Sequence, residues 1–136
     1  MGAGPEETRK AVILLVEDDP LVSLITAEIL QDAGFDVLEA VDASEALALL
    51  NTGRPLDLVI TDIRMPGQMD GVQLAGIVKN SWPGLPVALL SSHLERRQHE
   101  ADLFIPKPFD PDRLVEAVRR LLAARIAPEA VSPNAT

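Results

Sequence analysis

Acidic residues collect where two apolar runs end. The run Leu56-Asp57-Leu58-Val59-Ile60-Thr61-Asp62 reads as a buried strand that finishes on Asp62. The chain then breaks at once into Met65-Pro66-Gly67 and Asp70-Gly71. A second run, Ala11-Val12-Ile13-Leu14-Leu15-Val16, ends as abruptly in Glu17-Asp18-Asp19. Two buried strands that deliver carboxylates at their carboxyl ends predict one acidic pocket at the edge of a parallel sheet, which is where open α/β sheets bind ligands. Clustered carboxylates repel one another and are hard to keep ionised without a cation. Hard oxygen donors of this kind suit Mg²⁺. Two later strand ends add other chemistry. Pro86 to Ser91 ends in a hydroxyl, and Leu103 to Ile105 is followed by Lys107-Pro108-Phe109. A lysine ammonium is a point charge suited to phosphate. A serine hydroxyl can rotate to meet a new acceptor.

Strand-like runs alternate with helical patterns, which predicts a parallel sheet with helices on both faces. Strand 1 covers Ala11 to Glu17, and a first helix begins near Pro20 with Asp19 as its N-cap. Leu21, Leu24, Ile25, Glu28 and Ile29 follow helical spacing in that helix, and Gly34 stops it. Phe35 to Ala40 reads as strand 2, and Asp42 caps a helix from Ala43 to Leu50. Strand 3 is Leu56 to Thr61, followed by a helix from about Gly71 to Ser81 that Trp82-Pro83-Gly84 breaks. After Pro86–Ser91 and Leu103–Ile105, Asp110-Pro111 opens a last helix with Leu114, Val115, Val118, Leu121 and Leu122 on its apolar face. Arg119, Arg120 and Arg125 are expected near its end, where cations favour the helix dipole. Ser92 to Asp102 is nearly all polar and predicts a short helix or a loop. His93, His99 and the run Glu95-Arg96-Arg97 lie in it and read as a solvated face. Residues 1–10 form a polar extension, 11–126 the domain, and 127–136 a loose, flexible tail.

Composition bounds the function. The chain has 136 residues, enough for one domain with a real core. A formal charge of −9 argues against nonspecific nucleic-acid binding, which needs a basic face. There is no Cys, hence no disulfide framework and no thiolate chemistry. No apolar stretch approaches the roughly 18 residues a membrane helix needs. Residues Met1 to Lys10 carry no signal-peptide pattern, so a cytoplasmic protein is the expectation.

The stretches ILLVEDDP, LVITDIRMPGQMDG, PVALLSS and FIPKPF, in this order, resemble the receiver domain of two-component response regulators from Ala11 to about Arg125. The resemblance implies a flavodoxin-like, doubly wound sheet of five parallel strands ordered 2-1-3-4-5, with the fourth helix short or absent here. It implies that Asp62 accepts a phosphoryl group in a Mg²⁺-assisted reaction. Asp18 and Asp62 would bind the ion directly, Glu17 through water, and the backbone carbonyl of Arg64 would complete the protein donors. Asp19 then falls to the helix cap. Lys107 would contact the phosphoryl group, Ser91 would be the switch hydroxyl and Phe104 the switch aromatic, although Phe104 is equally an ordinary core residue. The Lys107-Pro108 bond would be cis.

Three features depart from the family. The loop after Asp62 is a residue longer than its commonest form, Pro106 precedes Lys107, and only 16 positions separate Ser91 from Lys107. That shortfall falls in the fourth helix, part of the family's usual output surface.

The resemblance implies a stand-alone receiver. Its donor is a histidine kinase or phosphotransfer protein, its target a downstream protein, and it makes no direct DNA contact. It is not an enzyme beyond its own phosphorylation and dephosphorylation. The rivals are an aspartyl phosphohydrolase, a flavin-binding domain and a pseudo-receiver that works without phosphorylation. The phosphohydrolase usually has a second Asp two positions after the nucleophile, where this chain has Arg64. Three consecutive acids after strand 1 would repel a flavin phosphate.

Overall fold

The structure, a computed structural model, describes residues 9–91 and 100–131, with side chains to Ala124 in the last helix. Five strands form one parallel sheet: β1 (Val12–Val16), β2 (Asp36–Ala40), β3 (Leu58–Asp62), β4 (Val87–Ser91) and β5 (Leu103–Pro106). Their order is β2-β1-β3-β4-β5 and every pairing is parallel, as the flavodoxin-like expectation requires. The helices among the described residues are α1 (Pro20–Asp32), α2 (Ala43–Leu50), α3 (Gly71–Ser81) and α4 (Pro111–Val131).

The strands are apolar on both sides because both sides are covered. Leu14, Val16, Val59, Val87 and Leu89 pack with Ala43, Ala46 and Leu50 of α2 and Leu74, Ala75 and Val78 of α3. Ile13, Leu15, Leu58, Ile60, Ala88 and Leu90 pack with Ala27 and Leu30 of α1 and Leu114 and Val118 of α4. Alternate residues of one strand therefore feed two cores.

Caps fix the helix starts. Asp19 accepts hydrogen bonds from the amides of Leu21 (2.9 Å) and Val22 (3.3 Å). Asp42 accepts one from the amide of Glu45 at 2.8 Å. Asp70 and Gln73 form a reciprocal capping box on α3.

Helical spacing in α1 does not show which side meets the sheet, and the expected end of the last helix needs correction. The side of α1 against the sheet is Ser23, Thr26, Ala27 and Leu30. Leu21, Leu24 and Ile25 lie on the solvent side, each at least half exposed. A helix lying close on a sheet favours small residues beneath it, and here the hydroxyl of Ser23 bonds Glu39 of β2 at 2.6 Å. The last helix runs on to Val131, so residues 127–131 are helical rather than a loose tail. Alanines at 123, 124, 127 and 130 favour that continuation. Arg119 and Arg120 consequently sit in mid-helix and not at its end. Arg119 donates to the Ala33 carbonyl at 3.3 Å and lies over the Phe35 ring, which fastens α4 to the end of α1. Arg120 pairs with Glu116 one turn back.

Between β4 and β5 the described residues contain no helix. Residues 92–99, with His93, His99 and the Glu95-Arg96-Arg97 run, lie outside the described residues. Asp102 closes the return to the sheet: its carboxylate accepts from the amide of Val87 at 2.8 Å and from the Lys79 ammonium at 2.9 Å.

Candidate functional site

Strand register brings the chemistry together. Val16 pairs with Ala40 and Thr61, Asp62 with Leu90, and Ser91 with Pro106. All five strands therefore end at about one level of the sheet. The ladder continues one step beyond: Glu17 N–H donates to Ala40 at 2.9 Å, Ile63 N–H to Leu90 at 2.9 Å, and Lys107 N–H to Ser91 at 2.7 Å. Alternation decides which side chains meet. Positions 13, 15 and 17, positions 58, 60 and 62, and positions 103, 105 and 107 share one parity, so Glu17, Asp62 and Lys107 converge.

The convergence is visible as contacts. The Lys107 ammonium lies 3.0 Å from Glu17 Oε1 and 3.4 Å from Asp62 Oδ1. Glu17 is 3% exposed, and its other oxygen accepts from the Asp19 amide at 3.1 Å. Carboxylate oxygens of Glu17, Asp18 and Asp62 lie within 4.8 Å of one another. Asp19 is outside this group because its carboxylate caps α1. The donor set fits Mg²⁺: the three groups are hard carboxylate oxygens, and one of them, on Asp18, is open to solvent and to bound water. Arg64 follows in the loop after β3 and is exposed.

Electrostatics bear on Asp62 most. Burial and the neighbouring Glu17 charge push its carboxyl up to about 6, against a partial pull downward by Lys107. A cation at the cluster would reverse that balance and hold Asp62 ionised. Burial disfavours the Lys107 ammonium, but its hydrogen bond to Glu17 and the charges of Asp62 and Glu17 outweigh this, and the net shift is upward. Lys107 is therefore a firmly charged cation in the site.

Ser91 and Phe104 occupy the other parity. Ser91 is buried at the end of β4. Phe104 faces the α2–α3 core and is partly buried there. Phe104 is opposite Leu89, so it sits diagonally from Ser91 on the same face of the sheet. The Lys107-Pro108 bond is cis.

The sequence profile of the response regulator receiver domain matches residues 13–119. The nitrogen assimilation regulatory protein NtrX of Azorhizobium caulinodans is 38% identical over 120 residues, covering 81% of this chain and 26% of that protein. The DNA-binding transcriptional regulator NtrC of Salmonella typhimurium is 32% identical over 121 residues, covering 85% of this chain and 25% of that protein. The chain thus spans about a quarter of the length of these relatives. A response regulator receiver protein from Sinorhizobium medicae superposes with a TM-score of 0.81 at 32% identity, covering 86% of this chain and 98% of that one. The response regulator TrrA of Thermotoga maritima, solved with Mg²⁺ and BeF, superposes with a TM-score of 0.75 at 32% identity, covering 82% and 98%. The profile match spans most of the chain and the same sheet recurs in solved receivers, so the chain belongs to the response regulator receiver domain family, the signalling modules of two-component systems.

Proposed function

We propose that this chain receives a phosphoryl group from a histidine kinase or phosphotransfer protein onto Asp62, in a Mg²⁺-dependent reaction, and switches its binding to a downstream protein. The observation that carries this reading is the Asp62 carboxylate held beside both a partly buried lysine and two further carboxylates. Asp18, Asp62, Glu17 through water, and the Arg64 carbonyl would hold the ion. When bound, Mg²⁺ supplies positive charge that lets an anionic carboxylate meet an anionic phosphoryl group.

The protein's own residues do the rest. One Asp62 oxygen attacks phosphorus, the phosphorus–nitrogen bond of the donor breaks, and the imidazole leaves with the electron pair. Lys107 stays charged and takes a phosphoryl oxygen. Asp62 is then spent as an anion, so one of the two carboxylate contacts of Lys107 is exchanged for the phosphoryl group. The Ser91 hydroxyl turns toward a phosphoryl oxygen, and Phe104, its diagonal neighbour, follows on the same face.

The domain makes no DNA contact of its own, in keeping with its charge of −9. The phosphohydrolase reading is weaker, because Arg64 stands where that class needs its second acid. The two are separated by stoichiometry. A histidine-phosphorylated phosphotransfer protein should pass one equivalent of label to this chain with Mg²⁺ and none with a chelator. Release of many equivalents of inorganic phosphate, with no label retained on the chain, would favour the phosphohydrolase.

A further inference from the structure

Gly71 opens α3. Glycine is a poor helix former. A close approach explains its presence. A Cβ at Gly71 would overlap the carbonyl oxygen of Asp62 and would lie 2.8 Å from the Asp62 carbonyl carbon and 2.9 Å from the Cα of Ile63. These are backbone atoms, which cannot swing aside as a side-chain tip can.

The surroundings leave little freedom to absorb such a wedge. The Gly71 amide donates to the Ile63 carbonyl at 2.8 Å, and the Ile63 amide donates to Leu90 at 2.9 Å. Ile63 is therefore tied on one side to α3 and on the other to β4. The helix start is held by the Asp70–Gln73 capping box, both bonds at 3.0 Å. Leu74, Ala75 and Val78 anchor α3 to the sheet, all fully buried. The Gly71–Ile63 bond also closes residues 64–70 into a ring. Asp62 and Arg64 flank Ile63, one on each side of this junction.

We propose that Gly71 is a positioning residue for the metal and phosphoryl site. Its missing side chain lets the first turn of α3 press on the Asp62–Ile63 peptide, and that contact fixes where the Asp62 carboxylate and the Arg64 carbonyl stand. The inference rests on the reading of those two groups as metal donors. Mg²⁺ demands near-ideal octahedral geometry, so small displacements of two donors weaken it steeply.

The test is a calorimetric Mg²⁺ titration of the wild type and three variants. Gly71→Ala inserts the wedge. Gly76→Ala lies in the same helix, where among the described residues an added Cβ meets only the Glu100 side chain, at 3.9 Å and 4.0 Å. Leu30→Ala empties a fully buried position at the far end of α1 and lowers stability without touching the site. Gly71→Ala should bind Mg²⁺ about tenfold more weakly, the scale on which support of a metal ligand is felt. The other two should stay close to wild type. Gly71→Ala binding as the wild type does, or Leu30→Ala losing as much affinity as Gly71→Ala, would overturn the proposal. Should Gly71→Ala fail to fold, Asp70→Ala keeps the glycine and undoes the cap. It should weaken Mg²⁺ binding severalfold, and unchanged affinity there overturns the proposal. A wild type that binds no Mg²⁺ contradicts the metal reading itself, a result distinct from equal binding by wild type and Gly71→Ala.

Discussion

At the scale of single residues, the site is a balance of charge around Asp62. Its carboxyl stands near 6 in the folded, metal-free protein and at 3.8 when unperturbed. Between about pH 4 and pH 6 the folded state therefore holds a proton that the unfolded chain has released. The sign follows: with no metal, this group's contribution falls as pH rises through that window, and its cost is fully present above pH 6. Asp62→Asn should accordingly stabilise the metal-free protein at pH 7 by on the order of 1 kcal/mol. The gain should vanish near pH 4, as read from denaturant unfolding of both proteins across pH. Mg²⁺ competes with the same proton, so apparent Mg²⁺ affinity should fall as pH drops below 6.

Asp18 and Asp19 separate cleanly in the same way. Asp19→Ala loses the cap and should cost about 1 kcal/mol of stability while Mg²⁺ binding persists. Asp18→Ala should keep its stability and lose Mg²⁺ affinity. The reverse outcome would place the acid pair one residue later.

At the scale of elements, α1 shows how far periodicity carries and where it stops. Leu21, Leu24, Ile25 and Ile29 at helical spacing were enough to locate the helix, and Asp19 and Pro20 to locate its start. They did not say which side meets the sheet, because Ser23 and Thr26 are polar by type yet buried by position. The hydroxyl of Ser23 finds Glu39 only through tertiary structure. The apolar side left outward begins beside the Asp62 pocket, where the proposed protein donor would dock. Leu21→Asp and Ile25→Asp should therefore change stability by less than about 0.5 kcal/mol. Phosphorylation by acetyl phosphate should be unchanged, while transfer from the cognate protein donor slows at least tenfold. Equal slowing with acetyl phosphate would mean that the substitutions disturb the site rather than docking. The Gly71 contact was illegible for a related reason. A glycine at a helix start is ordinary in sequence, and only the strand end against it reveals why nothing larger fits.

At the scale of the whole molecule, the sheet was legible because its strands are buried on both faces and read as unbroken apolar runs between turn residues. Alternation along those runs sends Glu17, Asp62 and Lys107 to one side and Ser91 and Phe104 to the other. That parity, rather than proximity in sequence, assembles the site from residues 90 positions apart. The fold rests on two cores, and Leu114 of α4 packs into the one on the α1–α4 side. Leu114→Ala, at a fully buried position, should cost about 2–5 kcal/mol, measured by denaturant unfolding. The end of α4 was not legible, because Pro128 and the small residues after it read as a tail although alanine favours helix.

The central claim is that Asp62 is the phosphoacceptor. Intact mass after incubation with acetyl phosphate and Mg²⁺ tests it most directly. The wild type should gain the mass of one phosphoryl group, lose that gain when Mg²⁺ is chelated beforehand, and Asp62→Asn should gain none. Asp62→Asn labelled at a yield comparable to the wild type would contradict the account.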